Sequence, residues 1–398
     1  MSDSVTLPLH MRRTAFDPVP ELASVREGEG VHRTSTPFGM DAWLVTRYAD
    51  VRQVLSDHQR FSNALPLQFH PPGAPEMTDE QIKAMRAGNL LGFDPPEHTR
   101  LRRMLTPEFT MRRMRRLEPR IHDIVADHLD AMERTGSPVD LVTAFALPIP
   151  SLVICELLGV PYEDRDDFQR RTGTLLDLSL PVEERMAAQM ESRAYMAGLV
   201  TRAQAEPGED MLGMLVREHG DDLSADELAG IASLLLLAGH ETTSNMLGLG
   251  TLALLRHPDQ LELLSKEPER INATVEELLR WLSIVHSGVV KFTTTEVELA
   301  GTRIPAGALV MCALAAANRD PAFISEPDRL DITRGDLGHV ALGHGVHHCL
   351  GAPLARMEMR IAFPALFERF PGLRETGTPA EFRSFHFVYG LTTFEVAW

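Results

Sequence analysis

The chain has 398 residues, of which 39 are Lys or Arg and 56 are Asp or Glu, giving a net charge of −17. With 44% apolar and 24% charged residues it has a globular composition, not that of a disordered or collagen-like chain. The acidic balance argues against a general nucleic-acid binder, since phosphates would be repelled by most of the surface.

Three cysteines, Cys155, Cys312 and Cys349, lie far apart and contain no C-x-x-C pair, so neither a disulfide framework nor a zinc ribbon is expected. The first ten residues have no basic start and no apolar run of the kind a signal peptide needs. The most apolar stretch, 229–239, is shorter than the roughly 20 residues of a membrane span and is followed by His240 and Glu241. A soluble, cytoplasmic protein in a reducing compartment is expected.

In chain order, residues 43–46 are the first strand candidate. Residues 66–75 carry four prolines and a glycine and suit neither a helix interior nor a central strand. Residues 112–132 repeat Leu117, Ile121, Ile124, Val125 and Leu129 at helical spacing. Further helices are predicted over 151–158, 181–203 and 210–219, with a polar loop over 204–210 around Pro207-Gly208. Strands are predicted over 289–292, 297–299, 309–312 and 385–388. The expected fold class is mainly α, one domain over 1–398 with a small β region assembled from distant segments.

One long helix stands out. Ser224-Ala225-Asp226-Glu227 has the capping-box pattern, and apolar or small residues continue to Arg256, where Pro258 stops the run. About 32 residues would span about 48 Å. Ala238-Gly239-His240-Glu241-Thr242-Thr243 interrupts its apolar middle. Gly239 allows a close approach to the backbone, and Thr242 shares a face with Ala238. Two readings stand side by side: hydroxyls bonding back to helix carbonyls, and a proton-delivery point formed by Glu241 and Thr242.

The strongest local signal is the run Leu342-Gly343-His344-Gly345-Val346-His347-His348-Cys349-Leu350-Gly351. Its glycines permit a tight loop, and Pro353 suits the first turn of a helix running to Phe370. Cys349 would then precede a helix N-terminus, where amides favour a thiolate. Four readings are open here: a buried inert cysteine, zinc held by His344, His347, His348 and Cys349, a Cys–His nucleophile, and a thiolate ligand to haem iron.

The loop 343–351 resembles the haem-ligand loop of bacterial cytochrome P-450 monooxygenases. Ala238–Thr243 resembles their oxygen-activation motif, and Glu277-Leu278-Leu279-Arg280 their E-x-x-R pair. Residues 94–102, 317–321 and 327–330 extend the similarity to nearly the whole chain. The resemblance implies a single, triangular, mainly α domain with Cys349 as the iron ligand. It implies His98, Arg102 and His347 at the haem propionates, and Glu241 and Thr242 in protonation of bound dioxygen. Gly239 would lie at the cofactor. Glu277, Arg280 and Arg329 would form a structural network. Two departures are visible: Leu342 replaces the usual aromatic seven positions before the cysteine, and Lys291 stands where the family has a propionate-binding arginine.

The implied cofactor is haem b, with O2 as co-substrate and electrons from NAD(P)H through a ferredoxin reductase and a ferredoxin. The implied substrate is a lipophilic natural product, a polyketide macrolide above all, and a terpenoid, steroid or xenobiotic otherwise. A haem-thiolate sensor or carrier without turnover is the remote alternative. The implied pocket walls are 66–91, 175–181, Leu235, Ala238, Val289, Val290 and 389–392. A monomer is expected. Eight arginines between 100 and 120, against Glu108 and Glu118, make that stretch +6 in an acidic chain. They suggest a docking patch for an acidic ferredoxin or a solvated helix face.

Overall fold

The computed structural model describes residues 7–64, 77–335 and 338–398. The fold is mainly helical with small sheets, and it forms two compact units. The first comprises Met1–Pro72, His257–Cys349 and Phe382–Tyr389, and the second Gly73–Arg256, Leu350–Glu381 and Gly390–Trp398. Neither is a continuous stretch of chain. The proline-rich segment 66–75 lies outside the described residues.

The first unit is built on a five-stranded sheet. Leu309–Cys312 is a central strand, buried at all four positions, parallel to Asp41–Val45 on one side and antiparallel to Val289–Thr293 on the other. Val31–Ser35 and Phe61–Ser62 form the edges. The continuous apolar run LVMC suits a strand covered on both faces. The polar edge strand VHRTS has no such signature, and only its pairing with 41–45 makes it a strand. Residues 385–388 do not form the predicted strand. Val388 makes a single bridge to Val285, and its N–H donates to His386 Nδ1 at 3.2 Å, so a side chain takes the donor a ladder would need.

The second unit is helical. The central helix, Ala225–Arg256, has the predicted bounds. Its start is closed by reciprocal bonds: Ser224 N–H donates to Glu227 at 2.8 Å, and Glu227 N–H donates to Ser224 Oγ at 3.1 Å. It packs against the helices Pro148–Leu158, Val182–Ala205 and Ala352–Arg369. Of these, Ala352–Arg369 also packs against Met111–Thr135. Near-complete burial replaces amphipathicity: most side chains from Leu228 to Leu254 are inside. Among the described residues no helix is long and apolar enough to cross a membrane.

Candidate active site

Burial pushes the thiols of Cys155 and Cys312 up to about 12, so neither offers a thiolate at neutral pH. Cys349 is the partly exposed cysteine. Its loop is closed on itself: Gly343 N–H donates to Val340 O at 2.9 Å, His348 N–H to Gly345 O at 3.1 Å, and Cys349 N–H to Leu342 O at 2.9 Å. Gly345 is needed twice over. Its φ is +71°, and a Cβ there would lie 2.7 Å from the Leu55 carbonyl oxygen. Leu342 therefore contributes its carbonyl to the loop, while its side chain is half-buried.

The loop is anchored to a buried polar network. Glu277 and Arg280, both fully buried, meet through two bonds of 2.7 and 2.8 Å. Arg280 also donates to the carbonyls of Asn318, Pro327 and Arg329 at 2.9, 2.8 and 3.3 Å. Asn318 passes the constraint on, because its Oδ1 accepts from Val340 N–H at 2.9 Å at the foot of the cysteine loop. The arginine beside Glu277 is Arg334, at 3.4 Å, not Arg329. The Arg329 side chain is 57% exposed and among the described residues pairs with Glu326, so this residue enters the network through its carbonyl.

Lys291 is 1% exposed, on the inward face of strand Val289–Thr293, and its ammonium bonds to Asn63 Oδ1. His347 ends a 3-10 turn, Gly345–His347, and is half-buried. His344 lies 3.4 Å from Arg52, and burial together with that positive charge lowers its pKa. Among the described residues no group of three or more His, Cys, Asp or Glu is placed to hold a metal ion.

In the second unit, the middle of the central helix is opened on one stripe. Ala238 is exposed, and Leu234 and Thr242, at i−4 and i+4 from it, are partly so. Four hydroxyls of this helix bond back to it. Ser233, Thr242, Ser244 and Thr251 each donate to the carbonyl four residues earlier, Thr242 to Ala238 O at 2.8 Å. The Thr242 hydroxyl thus bonds back to the helix, as one of the two sequence readings expects, and it does so on the open stripe. Glu241 is 3% exposed and faces inward, accepting from Asn245 at 3.2 Å and lying 3.9 Å from His240. His240 is fixed by Leu236 O at 2.8 Å and by the edge of Phe168. The close approach read into Gly239 is made by Ile154, whose Cδ1 would lie 2.6 Å from an added Cβ. This glycine serves helix packing.

His98 and Arg102 stand one turn apart on the helix Glu97–Leu105, His98 2% exposed and Arg102 half-buried. Arg100 ties this helix to the central one by bonding both Glu97 and Glu227. The donor set of the chain fits a haem: a partly exposed thiol for iron, and imidazoles and cations for two carboxylates. In the arginine stretch, Arg113 pairs with Glu108 at 2.6 Å and Arg120 with Glu156 at 2.7 Å. Arg103, Arg112, Arg115 and Arg116 are exposed and make no ion pair among the described residues, and Met111 beside them is 54% exposed. Sequence reasoning passed over His240, Asn245, Asn63 and Arg334. Only the Glu241–Asn245 spacing, i and i+4 on one helix, was there to be read.

Residues 201–389 match the family model described as cytochrome P450. The chain is 51% identical over 399 residues, covering 100% of both chains, to cytochrome P450 FAS1 of Rhodococcoides fascians. It is 44% identical over 394 residues to pentalenic acid synthase of Streptomyces avermitilis, covering 97% of this chain and 96% of that one. Among solved structures, P450 StaH from glycopeptide antibiotic A47934 biosynthesis superposes with a TM-score of 0.87 at 42% identity, covering 99% of this chain and 100% of that one. CYP105P1 in complex with filipin I gives 0.90 at 40%, covering 97% of each.

Proposed function

The chain belongs to the cytochrome P450 family, whose members are haem-iron monooxygenases, and from that premise we propose that it hydroxylates a C–H bond of a lipophilic natural product, with a polyketide macrolide as the first scaffold to test. Cys349 would be the thiolate ligand, with His98, Arg102, Lys291 and His347 holding the carboxylates of the cofactor. When bound, the haem supplies the activation of dioxygen. The chain's own residues supply proton control and a place for the substrate. Thr242 presents a hydroxyl on the open stripe; with its proton committed to Ala238 O, its oxygen is left as an acceptor for a water. Glu241 is held inward by Asn245, so proton exchange with the stripe requires a side-chain rotation. The exposed Ala238, one turn before Thr242, offers a small apolar surface on which a substrate can lie.

The observation that carries this reading is the partly exposed Cys349 in a self-closed glycine loop, the other two thiols being held protonated by burial. The reduced protein is expected to show a strongly red-shifted Soret band with carbon monoxide, and Cys349→Ser to lose it. A haem protein that lacks the shifted band would overturn the thiolate assignment. Thr242→Ala should keep the band yet release more peroxide per electron consumed; unchanged coupling would remove Thr242 from proton delivery.

Electrons would come from NAD(P)H by way of a reductase and a ferredoxin, at a cytoplasmic site. Arginines 103, 112, 115 and 116 support an acidic partner, since they are exposed and carry no counter-ion among the described residues.

A further inference from the structure

Arg171 lies on the helix Arg165–Leu176 and is 8% exposed. Its Nε and Nη2, the two donors that form one edge of the guanidinium fork, are buried without a hydrogen-bond partner among the described residues. The ring of Tyr195 packs 4.9 Å from the guanidinium carbon and offers a π face, while its hydroxyl is committed to Asp164 at 2.6 Å. The cation therefore has a stacking partner and no acceptor on that edge.

Beside it is a cavity of about 80 Å³. Arg171, Arg193, Gln189 and Ser192 give it a polar wall, and Leu234 and Leu237 of the central helix line it as well. Among the described residues no carboxylate side chain lines it. Arg193 is turned to the carbonyls of Met85 and Asp226 at 3.2 and 3.1 Å, and its nearest acid, the Asp226 carboxylate at 3.8 Å, is 67% exposed. Two guanidiniums thus border a space with room for a small oxyanion and a few waters. Among the described residues no carboxylate pairs with Arg171; a buried cation so placed opposes folding, and an oxyanion seated against the guanidinium would offset that cost.

The helix that lines the cavity with Leu234 and Leu237 also carries Ala238 and Thr242. Leu234, Ala238 and Thr242 share one face, and eight residues rise about 12 Å. We propose that this cavity binds the anionic end of the substrate, a carboxylate or a phosphate ester carried about 12 Å from the carbon that is oxidised. The inference rests on the monooxygenase reading and narrows its substrate class from lipophiles in general to lipophiles bearing an oxyanion.

The test is calorimetric titration of the purified holoenzyme with decanoate, decyl phosphate and neutral methyl decanoate as probes. At least one anion should bind tenfold or more tightly than the ester, and which of the two does so separates carboxylate from phosphate. In Arg171→Gln that preference should fall below twofold, and Arg171→Lys, which keeps the charge and loses the fork, should retain part of it. A scaffold-free readout accompanies this: the gain in unfolding midpoint in inorganic phosphate over chloride at equal ionic strength should be larger for wild type than for Arg171→Gln. Equal behaviour of the two proteins in both measurements overturns the proposal. Neither readout involves turnover, so a failure of the monooxygenase reading would appear separately, in the carbon monoxide spectrum.

Discussion

Arg280 and Arg171 are both guanidiniums with less than a tenth of their surface exposed, and their surroundings are opposite. Arg280 uses all five N–H donors: two on the Glu277 carboxylate and three on backbone carbonyls. Arg171 keeps a whole edge without an acceptor among the described residues, and the cavity it helps to line has no acid among them. A buried arginine with every donor engaged is a piece of scaffold, and here it sets the foot of the cysteine loop through Asn318 and Val340. A buried arginine with an open fork is incomplete until something enters. The difference teaches that burial of charge alone does not separate structure from recognition; the count of satisfied donors does.

The sharpest way to break this contrast is at its satisfied end. Arg280→Met would leave Glu277 as a buried carboxylate facing lost donors, and such one-sided removals cost about 3–5 kcal/mol. Thermal unfolding should show a fall of that size, with loss of haem retention because Val340 loses its support. A variant with wild-type stability would mean that the network is ornamental.

The next effect comes from buried groups of the same unit that are satisfied only when neutral. His10 Nε2 faces Ser287 O at 3.2 Å and His286 Nε2 faces Ser384 O at 3.1 Å, while both Nδ1 atoms are buried without a partner among the described residues. Burial holds His10 at about 4, and burial together with the charge of Arg13 holds His286 at about 2. The unfolded chain binds protons on both from about pH 6.5 downward and the folded chain does not, so stability is full above 6.5 and falls as the pH drops. By pH 4 His10 alone should have removed about 3 kcal/mol. Denaturant midpoints measured between pH 7 and 4 should decline accordingly, and His10→Gln should flatten the slope.

These two sites also show what could be read from the chain. The central helix was legible to the residue because its signals are local: a capping box at Ser224, an unbroken apolar run and Pro258. Thr242 and Glu241 stand out in the sequence because acid and hydroxyl are rare in such a run. Gly239 was read toward the cofactor, and only tertiary packing shows Ile154 against it. Arg329 was carried over by position, whereas the buried network takes Arg334, five residues on, across a turn whose path no spacing rule predicts. The edge strand Val31–Ser35 has no apolar alternation and exists by its neighbour. Arg171 lies in the polar run RDDFQRR and looks like any solvated helix face until burial is known.

Exposed arginines give the third case, satisfied by neither protein nor cavity. Arg112 and Arg115 are open to solvent and without ion pairs among the described residues. The double substitution Arg112→Glu with Arg115→Glu should change stability by less than about 0.5 kcal/mol, as surface changes do. It should slow ferredoxin-driven turnover about tenfold at low salt, with the gap narrowing as salt screens the wild type. Equal slowing when peroxide replaces the electron chain would mean that the patch acts on the active site and not on docking.

The smallest expected effect falls on the open fork. Arg171→Met without added anion removes the stacking on Tyr195, about 0.5–1 kcal/mol, and at the same time removes a buried cation that has no acceptor on one edge. The two changes oppose each other, so the apo protein should stay within about 1 kcal/mol of wild type, far from the fall expected for Arg280→Met. If Arg171→Met instead costs about 3 kcal/mol or more, Arg171 belongs to the scaffold class, and its free edge must be satisfied by ordered water bound as firmly as protein. If the two proteins match without anion and diverge when decanoate or phosphate is present, the count of open donors has distinguished a binding arginine from a structural one of nearly equal burial.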